Sequence, residues 1–279
     1  MPDSQPQPPS SSSNPQGSSG QSDPAALLLC GARLTDGRTV DVRLGCGRIE
    51  AVGTAGSLAP GPACTGGTRV DLTGYLLLPA PAEPHAHGDT ALSAEHDGPV
   101  SYEPEDVQRR ATEAALLQLG HGATAVRAHV RVGDVQGLGA LAAVLQARRS
   151  LRGLAELTAV AMPRVLTGIA GAEGLAILRD AAKMGASVVG GCPDLDPDPA
   201  GYAEAVLEVA SEHGCPVDLH TDATDPARLA RLAAMAGGMR PGVVLGPCAG
   251  RARPPAPGGP RVADALGAGG VERGGVRAR

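Results

Sequence analysis

The chain has 279 residues with 24 basic and 29 acidic side chains, a formal net charge of −5, which gives no electrostatic footing for nucleic acid or an anionic membrane. Three tyrosines and no Phe or Trp leave few faces on which bases could stack. No stretch approaches the roughly 20 apolar residues of a membrane-spanning helix, and the N-terminus lacks the features of a signal peptide, so a cytoplasmic protein is expected.

Residues 1–24 are Ser, Pro, Gln and Gly with almost no apolar side chains. Such a segment cannot bury enough surface to offset its ordering entropy, and it reads as a disordered tail. From Ala25 the pattern changes to short strands: Leu27–Leu29, Thr39–Leu44 and Arg48–Val52, separated by Asp36-Gly37 and Gly45-Cys46-Gly47. Apolar residues at Val40, Val42 and Leu44 share one face of a half-buried antiparallel strand. Arg69–Leu72 and Tyr75–Pro79 continue the strand character, which makes 25–78 a small β-subdomain.

Residues 79–249 alternate between strand and helix. Helices are predicted at Glu105–Leu119, Val135–Arg149, Ala172–Met184, Tyr202–Glu212 and Pro226–Met235. Strands are predicted at Ala123–Val130, Ala155–Met162, Ser187–Gly190, Pro216–His220 and Gly242–Leu245, after a first one around Tyr75–Pro84. This alternation implies parallel strands joined by helical crossovers. The fold class is therefore α/β, an incomplete TIM-type (β/α) barrel with about six of the eight units a closed barrel requires. Residues 250–279 are a low-complexity tail of Gly, Ala, Pro and Arg without a period of 2 or 3.6. The expectation is that this tail comes from a frameshift or a truncation, and that open barrel edges promote self-association.

The run Glu83-Pro84-His85-Ala86-His87-Gly88-Asp89-Thr90 carries the most specific chemistry. Residues i and i+2 of a strand face the same side, so His85 and His87 can reach one metal ion. Imidazole suits zinc or iron, and three protein ligands with an open position are the catalytic arrangement. The pair sits at the expected C-terminal end of the first barrel strand, where barrel active sites are built. The six cysteines (Cys30, Cys46, Cys64, Cys192, Cys215, Cys248) contain no CxxC pair. In a chain of this size without an export signal they do not read as a disulfide framework.

Leu44–Gly53 resembles the N-terminal strand pair of the amidohydrolase superfamily, and Glu83–His87 resembles that family's metal-binding strand. Gly88-Asp89-Thr90, Val126–Val130, Ser187–Gly190 and Val217–Asp222 extend the resemblance to its cytosine-deaminase-like branch. The resemblance implies one divalent metal, zinc or iron, held by His85, His87 and His220. It also implies a small-molecule substrate, a pyrimidine or another cyclic amidine or amide, deaminated at a C–N bond. In the same frame His129 would support the ligands by a hydrogen bond or simply pack.

Several positions depart from the family pattern. Ala223 stands where the resemblance implies a proton-shuttling Glu, Cys248 corresponds roughly to a sixth-strand His, and Arg164 replaces a substrate-holding Gln. The metal-binding Asp of the eighth strand has no recognisable counterpart. Loss of one positioned acid or base costs ~10²–10⁴ in rate. Asp222, two residues beyond His220, offers a replacement proton acceptor, or it caps the next helix. Cys248 offers a thiolate that would close a structural zinc site with His85, His87 and His220, or it is an inert buried thiol. Lys183, near a helix end, is rejected as a ligand. Two functional readings follow: a metal-dependent hydrolase of a non-peptide C–N bond, and a catalytically inactive relic or binding protein on the same scaffold.

Overall fold

The computed structural model describes residues 27–58, 68–93, 99–221, 226–237, 239–247 and 272–273. The chain divides into two compact units at Pro79/Ala80.

The first unit is a four-stranded sheet of β1 (Leu27–Arg33), β2 (Thr39–Gly45), β3 (Arg48–Thr54) and β4 (Thr68–Asp71), in the order β3-β2-β1-β4. β1, β2 and β3 form an antiparallel meander, and β4 runs parallel to β1. Cys46 (φ 49°) and Gly47 (φ 71°) make the β2–β3 turn, and positive φ at both central residues is the twist-matched choice for a tight hairpin. Val40 and Val42 are buried, as alternation predicts, but Asp41 between them is buried too. Its carboxylate accepts hydrogen bonds from the backbone N–H of Gly31 (2.9 Å) and Gly56 (2.8 Å). The Asp41 side chain thus fastens the β1 bulge to the turn after β3.

The second unit is a parallel sheet in the order β11-β10-β9-β8-β7-β6-β5. Its strands are β5 (Ala82–Ala86), β6 (Ala125–Val132), β7 (Glu156–Pro163), β8 (Val188–Gly191), β9 (Val217–Thr221), β10 (Val243–Pro247) and the two-residue β11 (Glu272–Arg273). The helices are α1 (Pro104–Gly120), α2 (Gly139–Ser150), α3 (Gly168–Met184), α4 (Pro199–His213) and α5 (Pro226–Ala236). The α/β assignment holds, and the sheet is the curled parallel part of a TIM barrel.

Two sequence expectations need correction. Tyr75–Pro79 is not a strand: it contributes one isolated bridge, Leu76 to Arg33, and the first barrel strand begins only at Ala82, past Pro79 and Pro81. The second helix starts at Gly139 instead of Val135, because Gly133 (φ 94°) and Gly137 (φ 53°) pair with each other around a short 3₁₀ turn. In the segment read as a low-complexity tail, Glu272–Arg273 pairs in parallel with β10; the remainder of 250–279 lies outside the described residues.

Strand alternation divides the sheet into two chemically distinct faces. Val126, Ala128, Val130, Leu157, Ala159, Ala161, Val189, Val217 and Leu219 face the helices and join a core with Leu141, Val144, Leu178, Val206 and Leu229. The intervening positions, Arg127 and His129 on β6, Val160 on β7, Gly190 on β8, and Asp218 and His220 on β9, face the concave side. Gly190 is required by packing, since a Cβ there would overlap the backbone oxygen of Asp218. Tyr202 on α4 is fully buried and donates its hydroxyl to the Pro163 carbonyl at 2.6 Å, which anchors the C-terminal end of β7. Among the described residues no helix is long and apolar enough to cross a membrane.

Candidate metal centre

The concave face gathers four imidazoles. His85 lies in β5 and His87 just beyond its end. The β5–β6 register is irregular between Glu83 and Ala86, and such bulges re-aim side chains at strand ends. The pair converges as the i, i+2 spacing predicts, with Nε2 atoms 3.2 Å apart. The His220 ring lies 4.4 Å from the His85 ring but 6.1 Å from that of His87, so His85 stands between the other two residues of the expected set. A fourth ring, His129, stands 4.6 Å from His85 and 4.4 Å from His220. One ring nitrogen from each of His85, His129 and His220 lies within 4.8 Å of the other two.

Burial is graded across the cluster. His85 and His87 open to solvent, His220 is half-buried, and the His129 side chain is fully buried. Burial, and after it the neighbouring His129, hold the pKa of His85 and His87 below 6.5 and lower that of His220 to about 3. These imidazoles are therefore neutral at neutral pH, the form that binds metal. The Nε2 of His220 and both ring nitrogens of His129 are buried without a hydrogen-bond partner. A buried polar atom left unpaired costs about 1–3 kcal/mol. A divalent ion among the rings would satisfy Nε2 of His220 and one of the two nitrogens of His129, so the donor set fits zinc or iron.

Two carboxylates brace the cluster, and both were overlooked in the sequence. Asp218, 3% exposed, pairs with Nη1 of Arg127 at 2.7 Å and lies 3.4 Å from Nε2 of His129. Burial alone would raise its pKa, but His129 and Arg127 outweigh that and hold the carboxyl below its ordinary range. Asp89, from the Gly-Asp-Thr run after the histidine pair, is fully buried and accepts from Nε of Arg131 at 3.2 Å. Its backbone carbonyl accepts from the buried Arg110 at 2.9 Å. A legible signal for both was present: Arg127-x-His129-x-Arg131 and Asp218-x-His220 place polar residues at alternate positions of strands that otherwise read as buried and apolar.

A cavity of about 430 Å³ opens beside the cluster, lined by residues that include His87, His220, Arg131, Asp134, Gln136 and Arg164. Arg164, read in the sequence as standing in for a glutamine, therefore does border the space next to the imidazoles. Lys183 instead pairs with Asp180 at 3.0 Å on the exposed surface of α3. Cys30 and Cys215 are buried thiols, whereas Cys46 is exposed. Asp222, Ala223 and Cys248 lie outside the described residues, as do Cys64 and His96.

No family model matches the chain. Among curated proteins it is 27% identical over 181 residues to N-isopropylammelide isopropyl amidohydrolase of Pseudomonas sp. (strain ADP), covering 54% of this chain and 43% of that one. The crystal structure of N-isopropylammelide isopropylaminohydrolase from Burkholderia multivorans superposes with a TM-score of 0.67 at 25% identity, over 79% of this chain and 60% of that one. That of Klebsiella pneumoniae 5-methylcytosine deaminase liganded with 5-fluorocytosine superposes with a TM-score of 0.74 at 24% identity, over 88% and 64%. The chain thus spans under half of the curated relative's length and under two thirds of either solved structure. The histidine pair on the first barrel strand and the third histidine on the fifth thus sit in a chain that is similar in sequence to N-isopropylammelide amidohydrolases, and similar in fold to these and to 5-methylcytosine deaminase.

Proposed function

We propose that this chain is a metal-dependent amidohydrolase that cleaves a C–N bond in a small cyclic amidine or amide, a pyrimidine-like ring being the first class to test. The observation that carries the reading is the meeting of His85, His87 and His220 on the concave face beside an open cavity. In this reading those three residues hold one divalent ion, zinc or iron. Such an ion supplies Lewis acidity that lowers the pKa of water to about 7.

The chain's own residues have separate tasks. The neutral imidazoles present lone pairs at neutral pH, and Arg127 and Asp218 hold the interior face beneath them in place. Arg164 and Gln136 on the cavity wall donate hydrogen bonds to a ring oxygen. Asp222, two residues after His220, is proposed to accept the proton from the attacking water and return it to the leaving amine. Cys248 is the alternative, as a thiolate that would close a structural zinc site with His85, His87 and His220. Supporting the hydrolase reading are the relatives, whose names describe removal of amino groups from nitrogen-rich rings. Ala223 in the shuttle position makes slow turnover the expectation.

The test is the metal content of the purified protein, combined with ammonia or amine release on a panel of pyrimidines, triazines and pterins. One ion per chain with turnover that disappears on chelation is the expected result. Stoichiometric metal without any release would overturn the hydrolase reading in favour of a binding protein. Absence of bound metal after loading with zinc or iron would overturn the metal centre itself.

A further inference from the structure

The fourth imidazole has no place in a three-histidine centre, yet it is the most deeply set of the four. We infer that His129 is itself a metal ligand, its Nδ1 turned to the ion and its Nε2 to Asp218. The inference rests on the metal-centre reading above and deepens it.

Distance supports ligation first. Zinc–imidazole bonds of roughly 2.1 Å at tetrahedral angles put ligating nitrogens about 3.4 Å apart. The His85 and His87 nitrogens already stand at 3.2 Å, and the nitrogens of His85, His129 and His220 lie mutually within 4.8 Å. Side-chain rotation of about an ångström closes the set. His87 is the outlier in ring position, at 5.9 Å from His129 and 6.1 Å from His220, on the cavity side.

Hydrogen bonding points the same way. A histidine that merely supported a ligand would donate one ring N–H and accept at the other nitrogen, or face water. His129 is fully buried, and only its Nε2 has an acceptor nearby, the Asp218 carboxylate, so Nδ1 is left buried without a hydrogen-bond partner. Asp218 lies 3.4 Å from Nε2 and is itself fixed by Arg127 at 2.7 Å. A carboxylate behind one ring nitrogen, with the other nitrogen directed at the ion, is how metal-bound histidines are commonly oriented. Packing by itself would call for an apolar side chain, as at the buried Val160, which sits opposite His129 on β7.

The experiment loads the full chain, ring-labelled with nitrogen-15 at histidine, with cadmium-113 and reads cadmium–nitrogen couplings by NMR. His129→Asn and Asp218→Asn assign the signals. Coupling to Nδ1 of His129 in the wild-type protein, together with coupling to His85 and His220, is the expected result. His129→Asn is expected to weaken cadmium binding beyond ~100-fold, whereas Asp218→Asn stays within the ~10–100-fold typical of a supporting partner. Couplings to His85, His87 and His220 without one to His129 would overturn the inference and leave the three-histidine centre standing. No coupling to any histidine would overturn both. The wild-type spectrum decides the matter even if a variant fails to fold.

Discussion

Removing the carboxylate of Asp218 isolates the physical basis of the interior face. Asp218→Ala leaves the Arg127 guanidinium, 19% exposed, facing a site from which its 5%-exposed partner has been deleted. Breaking a buried ion pair from one side costs about 3–5 kcal/mol, because the surviving charge stays desolvated. Residual solvent contact at Arg127 puts the expectation at the low end, about 3 kcal/mol. At roughly 2–4 °C per kcal/mol for a domain of this size, the melting temperature falls by about 6–12 °C. The assay is urea unfolding of the metal-free protein followed by circular dichroism at the helical band, which reports on the second unit because the five α-helices among the described residues lie there. A double-mutant cycle with Arg127→Met separates the pair from its surroundings. The double variant is expected to recover part of the loss, since an apolar pair of similar volume avoids the stranded charge. A single variant within 1 kcal/mol of wild type, or a double variant as costly as the two singles summed, would refute the reasoning.

Three further outcomes follow from the same interior. Gly190→Ala forces a Cβ onto the Asp218 carbonyl oxygen, so at least about 3 kcal/mol is lost; an unchanged urea midpoint would contradict the strand contact. Tyr202→Phe strips the hydrogen bond from the Pro163 carbonyl and is expected to cost about 1–3 kcal/mol, read from the same unfolding curves. For the metal-free protein, His85, His87 and His220 have folded pKa values below 6.5, that of His220 at about 3. The unfolded chain therefore binds more protons between pH 3 and pH 6.5, and stability rises with pH across that window and is full above it. Thermal melts from pH 4 to pH 8 in chelator check the sign; a midpoint rising as pH falls below 6.5 would refute it.

How much of this was legible in the chain depended on whether a contact was local. His85 and His87 could be paired from spacing alone, because alternation places i and i+2 together whatever the rest of the sheet does. The helices were read to within a few residues where they end in signals such as Gly185 and Gly214, both in the left-handed conformation. The start of α2 was misplaced because the paired glycines at 133 and 137 form a closed turn whose partner contact is invisible to periodicity. The weight of His129 was missed for a related reason. Its neighbours come from β5 and β9, and their convergence depends on register across the intervening strands, where Val160 sits opposite His129 and Asp218 opposite Gly190. Arg127 and Asp218 are 91 residues apart, and only the curl of the sheet brings their charges together.

Ion binding and proton transfer make opposite demands on the same cluster. Ligation is favoured by what burial does here, holding the pKa of His85, His87 and His220 below the ordinary imidazole value. An imidazole that held the ion would have its lone pair engaged there, and so would not be free to accept a proton from water. In the proposed hydrolase a carboxylate would carry that step, and Asp134 on the cavity wall and Asp222 after β9 are the acidic residues that the cavity lining and the chain order bring forward. Substitution of a carboxylate should accordingly abolish turnover while leaving the ion in place, whereas substitution of an imidazole removes both together.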